Sequence, residues 1–250
     1  MKSLEADVVV IGGGSTGVGV VRDAAMRGYR AVLLERADLG QGTTARFHGL
    51  LHSGGRYVVS DPQSATECAE ENAILKRIQA AAVEDTGGFF VVTPGDDPGF
   101  ADKFLAGAAA TGVPAREIAV AEALRREPLL NPGILRAIEV EDGSVDGWQL
   151  VWGAARSAQA YGATVLTYHK VVGIERERDR VSAVLARDVK GGEDVRINCG
   201  FVLNCAGPWA GQVAALAGLH DVNVVAGRGI MVAMNHRLVN TVINRCVYPT

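Results

Sequence analysis

A mixed α/β fold is predicted by three features of the sequence. The β-branched run 7–11 passes directly into Gly12, Gly14 and Gly17 and then a helical stretch; a second strand-glycine-helix junction occupies 201–217; and the stretch 83–145 departs from βαβ repetition. The third of these features places a second, sheet-containing domain next to the glycine-rich one.

The elements follow in order. DVVVI at 7–11 is short, continuous and β-branched, as a strand buried on both faces should be. A helix is expected over 16–27, where Val18, Val21 and Ala25 recur at helical spacing and Gly28 is placed to cap the end. The apolar run 31–34 makes a second buried strand, ending in Glu35. Ser64 and Glu67 have capping-box spacing at the start of a helix over 64–81. Beyond Gly87 and Gly88 a strand is expected at 89–93, helices at 101–110 and 120–127 broken by Gly112, Pro114 and Pro128, and a strand at 133–141. Asp142 and Gly143 are expected to turn the chain towards a helix over 148–161. Strands at 163–167, 170–178, 181–188 and 194–198 come next, then a strand at 201–204 and a helix at 210–217. The apolar stretches 222–234 and 241–249 read as strands of the second domain. The expected division is 1–82 with 146–221, and 83–145 with 222–250, the second sheet being left incomplete where the sequence stops.

Composition narrows the function. With 48% hydrophobic residues and a net charge of −3, the chain has material for a core and lacks the basic footprint of a nucleic-acid binder. Glu5 and Asp7 precede the first apolar run, which does not fit a secretory signal, so a cytoplasmic location is expected. The apolar window 201–219 is interrupted by Asn204, Pro208 and Gln212, which argues against a membrane span. The four cysteines lack C-x-x-C spacing and are expected to be reduced thiols.

The glycine motif carries the first chemistry. Gly12 permits a tight turn, Gly14 lets backbone approach a pyrophosphate, and Gly17 lets the helix pack close to the strand. The helix N-terminus offers N–H groups and a positive dipole end, and Glu35 can accept hydrogen bonds from a ribose hydroxyl. This Rossmann-like unit predicts a bound dinucleotide without choosing between a nicotinamide and a flavin. Downstream, His48, His52, Arg46, Arg56 and Tyr57 crowd between glycines and suggest a site. The i,i+4 histidines lack the glutamate of a zinc-protease motif and sit among helix-breaking glycines, so no metal is expected.

At this point the sequence resembles the FAD-dependent glycerol-3-phosphate dehydrogenases, and most closely the large subunit of the anaerobic enzyme. IGGGSTG at 11–17, HGLLHSGGRY at 48–57, SATECAEENAILKRI at 64–78, DGSVD at 142–146, VLNCAGPWA at 202–210 and VINRC at 242–246 carry the likeness. The resemblance implies that FAD is the cofactor, with Gly12, Gly14, Ser15, Gly17, Glu35 and Arg36 around its ADP half and Thr43 and Thr44 near the pyrophosphate. It adds His48, Leu50, Val172, Ala206, Gly207 and Trp209 as cofactor contacts. It further implies that His52 acts near the flavin and that Arg56 and Tyr57 meet the phosphate of glycerol 3-phosphate. Electrons would pass to partner subunits and a quinone, and such partners would hold the protein peripherally at the inner membrane. One departure is Gly147-Trp148-Gln149, where the family usually has Pro-Phe-Arg. Two alternatives stay open at this stage: another FAD-dependent 2-hydroxy-acid dehydrogenase, such as one acting on L-2-hydroxyglutarate, and a nucleotide-binding fragment without turnover.

Overall fold

The structure, a computed structural model, describes residues 1–225, 227 and 229–246. In chain order its elements are β1 (Lys2–Glu5), β2 (Val8–Ile11), α1 (Ser15–Met26), β3 (Ala31–Leu34), β4 (Leu50–Leu51), α2 (Pro62–Ile78), β5 (Val83–Glu84), β6 (Gly88–Val92), α3 (Phe100–Thr111), β7 (Ala115–Ile118) and α4 (Val120–Arg126). They continue with β8 (Arg136–Val140), β9 (Gly143–Val145), α5 (Gly147–Ala160), β10 (Thr164–Leu166), β11 (His169–Glu177), β12 (Arg180–Asp188), β13 (Val195–Asn198), β14 (Phe201–Asn204), α6 (Ala210–Ala215) and β15 (Val242–Arg245). The fold class is α/β, as the strand and helix pattern predicts. The chain divides into two compact units, Met1–Phe47 with Gly147–Met231, and His48–Asp146 with Val232–Thr250.

The first unit is built on a parallel sheet in the order β10-β3-β2-β14. Both faces of β2 are covered: Val8 and Val10 join a core with Val18 and Val21 of α1 and Val151 and Ala158 of α5, while Val9 and Ile11 join one with Val184 and Ile197. A two-residue side-chain period with apolar neighbours on either side explains why this strand is an unbroken β-branched run. The second core is closed by a sheet in the order β1-β13-β12-β11, whose strand β1 the sequence did not announce. Burial of each large side chain here contributes about 1.5–3 kcal/mol relative to leaving it exposed.

The second unit carries a sheet in the order β15-β6-β8-β7 and a small antiparallel sheet, β4-β9-β5. Phe90, Phe104 and Ile138 fill one core, with Val58 and Ala65 sharing it. That packing draws α2 into this unit, so the division falls at 47/48 rather than near residue 83, and 222–231 group with the first unit. The helix α2 also begins earlier than the capping-box spacing suggests. Asp61 is its N-cap, accepting from the Ser64 N–H at 3.1 Å, and Pro62 occupies the first turn, where its missing N–H and fixed φ are no handicap. Asp61→Ala is therefore expected to lower the melting temperature by roughly 2–4 °C in a calorimetric scan.

Two further expectations are corrected. Residues 115–118 form β7 instead of a break between helices, because cross-strand pairs Arg116–Glu139 and Arg136–Glu117 and the ladder to β8 outweigh weak local propensity. The described residues of 222–234 form no strand; Val225 and Ile230 are 91% and 85% exposed. A β-prone run without a neighbour to pair with does not become a strand. The strand expected over 241–249 is observed as Val242–Arg245, and 247–249 lie outside the described residues.

Candidate functional site

In the first unit a cleft of about 760 Å³ opens where β2 gives way to α1. Gly12 adopts φ +114°, and a Cβ there would lie 2.4 Å from the carbonyl oxygen of Cys205. A Cβ on Gly17 would lie 1.8 Å from the Gly12 carbonyl oxygen, so α1 can approach β2 this closely only with glycine at that position. The N-cap of α1 is Gly14, which has no side chain of its own to cap the helix, and no acid stands in the first turn, so the dipole end carries no neutralising charge and suits an anion. Thr44 comes in from the following loop, its hydroxyl 3.1 Å from the Ser15 N–H.

Glu35, at the end of β3, accepts from the N–H groups of Gly13 at 2.7 Å and Ala37 at 2.8 Å. Each carboxylate oxygen keeps acceptor capacity towards the cleft. Across it, Ala206, Gly207 and Trp209 follow β14, and the Arg36 guanidinium stacks 4.1 Å from the Trp209 ring centroid. Val172 sits at a register shift between β11 and β12, a bulge that turns this residue to the cleft wall. Of the expected cofactor residues, Gly12, Gly14, Ser15, Glu35, Arg36, Thr43, Thr44, Val172, Ala206, Gly207 and Trp209 line the cleft. Gly17 is buried in α1. His48 and Leu50 belong to the second unit instead. His169, Lys170 and Gln212 also line the cleft and were not anticipated; the strand-helix pattern around them carries no signature of its own. An open glycine cradle, a helix end without an acid in its first turn and a carboxylate after the second strand fit the adenosine diphosphate portion of FAD.

In the second unit, β4 pairs with β9 through Leu50–Ser144 and Leu51–Gly143, and this ladder sets residues 52 and 53 beside Asp142. Asp142 is fully buried, not the exposed turn residue that Asp-Gly suggests. Its Oδ1 accepts from the Ser53 N–H and hydroxyl, both at 2.7 Å, and its Oδ2 accepts from Asn244 Nδ2 at 3.0 Å and lies 3.2 Å from His52 Nδ1. Burial opposes the charge on Asp142, but the hydrogen bonds from His52 and Ser53 outweigh it and hold the carboxyl below its usual range. His52 Nε2 is buried and has no partner among the described residues.

His48 packs edge-on to His52 with ring centroids 5.1 Å apart. Burial, and then the neighbouring charges of His52 and Arg56, push its pKa down. The chain after His52 turns at Gly54, φ +97°, where a Cβ would lie 2.3 Å from the Ala65 carbonyl oxygen. That turn leads into the 3₁₀ turn Gly55–Tyr57, which presents Arg56 and Tyr57 to solvent. Arg56 makes no ion pair with any described residue, an arrangement suited to an anionic ligand.

The description "FAD dependent oxidoreductase" is that of a family matching residues 7–249 of this chain. The chain belongs to this family. One subunit of the anaerobic glycerol-3-phosphate dehydrogenase of Escherichia coli is 42% identical over 99% of the chain, which spans 46% of that relative's length. Among solved structures, L-proline dehydrogenase from P. horikoshii superposes with a TM-score of 0.76 at 25% identity, covering 87% of this chain and 57% of that one. Glycerol-3-phosphate dehydrogenase from Bacillus halodurans, complexed with FAD, superposes with a TM-score of 0.62 at 24% identity over 84% of this chain and 36% of that one. As a member of the FAD-dependent oxidoreductases, the chain has the parallel sheet, glycine turn and acidic strand end that the family's cofactor requires. No helix among the described residues is long and apolar enough to cross a membrane.

Proposed function

We propose that this protein is an FAD-dependent dehydrogenase that oxidises sn-glycerol 3-phosphate to dihydroxyacetone phosphate. The observation that carries the reading is His52 Nε2, a buried ring nitrogen, followed a short turn later by the exposed guanidinium of Arg56, the first without a partner and the second without an ion pair among the described residues. The 42% identity to the Escherichia coli anaerobic enzyme supports it.

Gly12, Gly14, Ser15, Thr43, Thr44 and Glu35 hold the ADP half of FAD, and Ala206, Gly207 and Trp209 close around the cofactor from the second junction. The chemistry supplied by bound FAD is acceptance of a hydride from the carbinol carbon. His52 Nε2 takes the hydroxyl proton, so that a C–H and an O–H bond break as the carbonyl forms. Arg56 binds the phosphate through a charge-assisted fork, and Tyr57 adds a phenolic hydroxyl beside it. The two electrons then pass to partner subunits and a quinone, a route that suits a chain whose relative is one subunit of a larger enzyme, and those partners hold it at the membrane surface.

Arg56→Ala is expected to raise KM for glycerol 3-phosphate by roughly 10- to 100-fold, with a smaller change in kcat, in an artificial-acceptor assay of the FAD-loaded enzyme. An unchanged KM removes Arg56 from the phosphate site, and turnover of L-2-hydroxyglutarate with none of glycerol 3-phosphate overturns the substrate.

A further inference from the structure

We infer that Asp142 is a positioning residue that fixes His52 with its proton on Nδ1 and its lone pair on Nε2, and that Ser53 and Asn244 hold Asp142 in that task. The inference rests on the reading of His52 as proton acceptor, and it predicts a property of the histidine that is measurable without turnover.

A carboxylate offers about four acceptor sites, and three donors and one ring nitrogen surround this one: the Ser53 N–H and hydroxyl on Oδ1, and Asn244 Nδ2 and His52 Nδ1 on Oδ2. The Ser53 N–H has no alternative role, and turning the Asn244 amide over would set oxygen against oxygen. With three donors aimed at it and its side chain fully buried, Asp142 stays an acceptor, and the group facing it at 3.2 Å must bring the proton. His52 Nδ1 is then N–H, and in the neutral ring the lone pair falls on Nε2, the atom left without a partner. A proton acceptor needs that tautomer; the opposite one would present an N–H to the substrate hydroxyl.

The saturation of Asp142 matters as well. Carrying three other hydrogen bonds, the carboxylate is a poor base, so a proton gained at Nε2 leaves an imidazolium beside a fixed anion instead of moving on to Asp142. Among the described residues, His48 packs edge-on against His52, and the positive charge of Arg56 acts on His48. Asp142 is the single described anion within hydrogen-bond reach of the His52 ring.

The chain has five histidines, so long-range proton–nitrogen correlation spectra of protein labelled with ¹⁵N-histidine resolve the tautomers directly. The His52 signals are assigned by their loss in His52→Gln. In the neutral ring, observed near pH 8, His52 is expected in the Nδ1–H form. In Asp142→Asn the amide oxygen can keep both Ser53 bonds while its NH₂ group faces the ring, and His52 is expected to switch to the Nε2–H form. A wild-type His52 in the Nε2–H form overturns the inference whether or not the variant folds, and so does a folded Asp142→Asn that keeps the Nδ1–H form. In the FAD-loaded enzyme, Asp142→Asn should lower kcat by roughly 10²-fold or more with KM within about threefold. If His52→Gln leaves kcat intact, the proton-acceptor reading fails while the tautomer assignment is judged by the spectra alone.

Discussion

Gly17→Ala is expected to yield a chain that no longer retains FAD through gel filtration. The added Cβ would stand 1.8 Å from the Gly12 carbonyl oxygen, so one of two backbone segments must move. Gly12 cannot: its φ is +114°, its N–H is bonded to the Leu34 carbonyl at 2.8 Å, and the Cys205 carbonyl blocks its other side. The helix α1 must therefore back away from β2, and the N-terminus proposed to meet the cofactor pyrophosphate goes with it. Overpacking of this kind costs about 1–3 kcal/mol in stability. The displaced dipole and N–H groups should lower FAD affinity by roughly 10- to 100-fold. Flavin absorbance per chain after gel filtration measures the loss. Gly19→Ala is the matched control: it lies on the same helix with nothing within 4 Å of its would-be Cβ, so it should keep FAD and gain about 0.5–1 kcal/mol from helix propensity. Equal flavin loss in both variants would mean that the helix, not the close approach at Gly17, governs binding.

That contrast also marks what is legible in the sequence. The β2-α1-β3 unit is readable because each requirement is local: a β-branched run for a strand covered on both faces, glycines where backbone meets backbone, a carboxylate at the next strand end. The strand-glycine-helix pattern at β14 is readable for the same reason, its return to the first sheet is implied only by the family resemblance, and its turn does reach the cleft through Cys205 to Trp209. What escapes is set by partners distant in sequence. Residues 115–118 carry no strand signal of their own and become β7 because β8 supplies both the ladder and two opposite charges. Asp142 reads as a turn residue because Asp-Gly usually is one, and its burial follows only from β9 being paired on both sides and from Asn244 arriving on β15. The 222–234 stretch shows the converse, strong β composition with no strand to pair with among the described residues.

The burial of Asp142 has a large consequence for stability. Asp142→Ala would leave the Ser53 N–H and hydroxyl, the Asn244 amide and the His52 ring without their acceptor at a buried position, and the expected loss is about 3–5 kcal/mol in urea unfolding of the second unit. The same carboxylate makes that unit acid-sensitive. Its folded pKa lies below the value of 3.8 for the free side chain, so the unfolded chain binds the proton more readily, and the stabilisation is whole above 3.8 and lost as pH falls below it. Asp96 acts in the same direction: hydrogen bonding from Arg245, working against burial and joined by Thr93, holds it at about 2, so its contribution is lost between 3.8 and about 2. The wild-type melting temperature of this unit is therefore expected to fall steeply from pH 3.8 towards 2, and Asp142→Ala to start lower and fall less. A variant that tracks the wild-type slope would show that folding does not shift the Asp142 carboxyl, against the hydrogen bonds that Ser53 and Asn244 donate to it. The acid limb thus tests the charge on Asp142 independently of any cofactor or substrate.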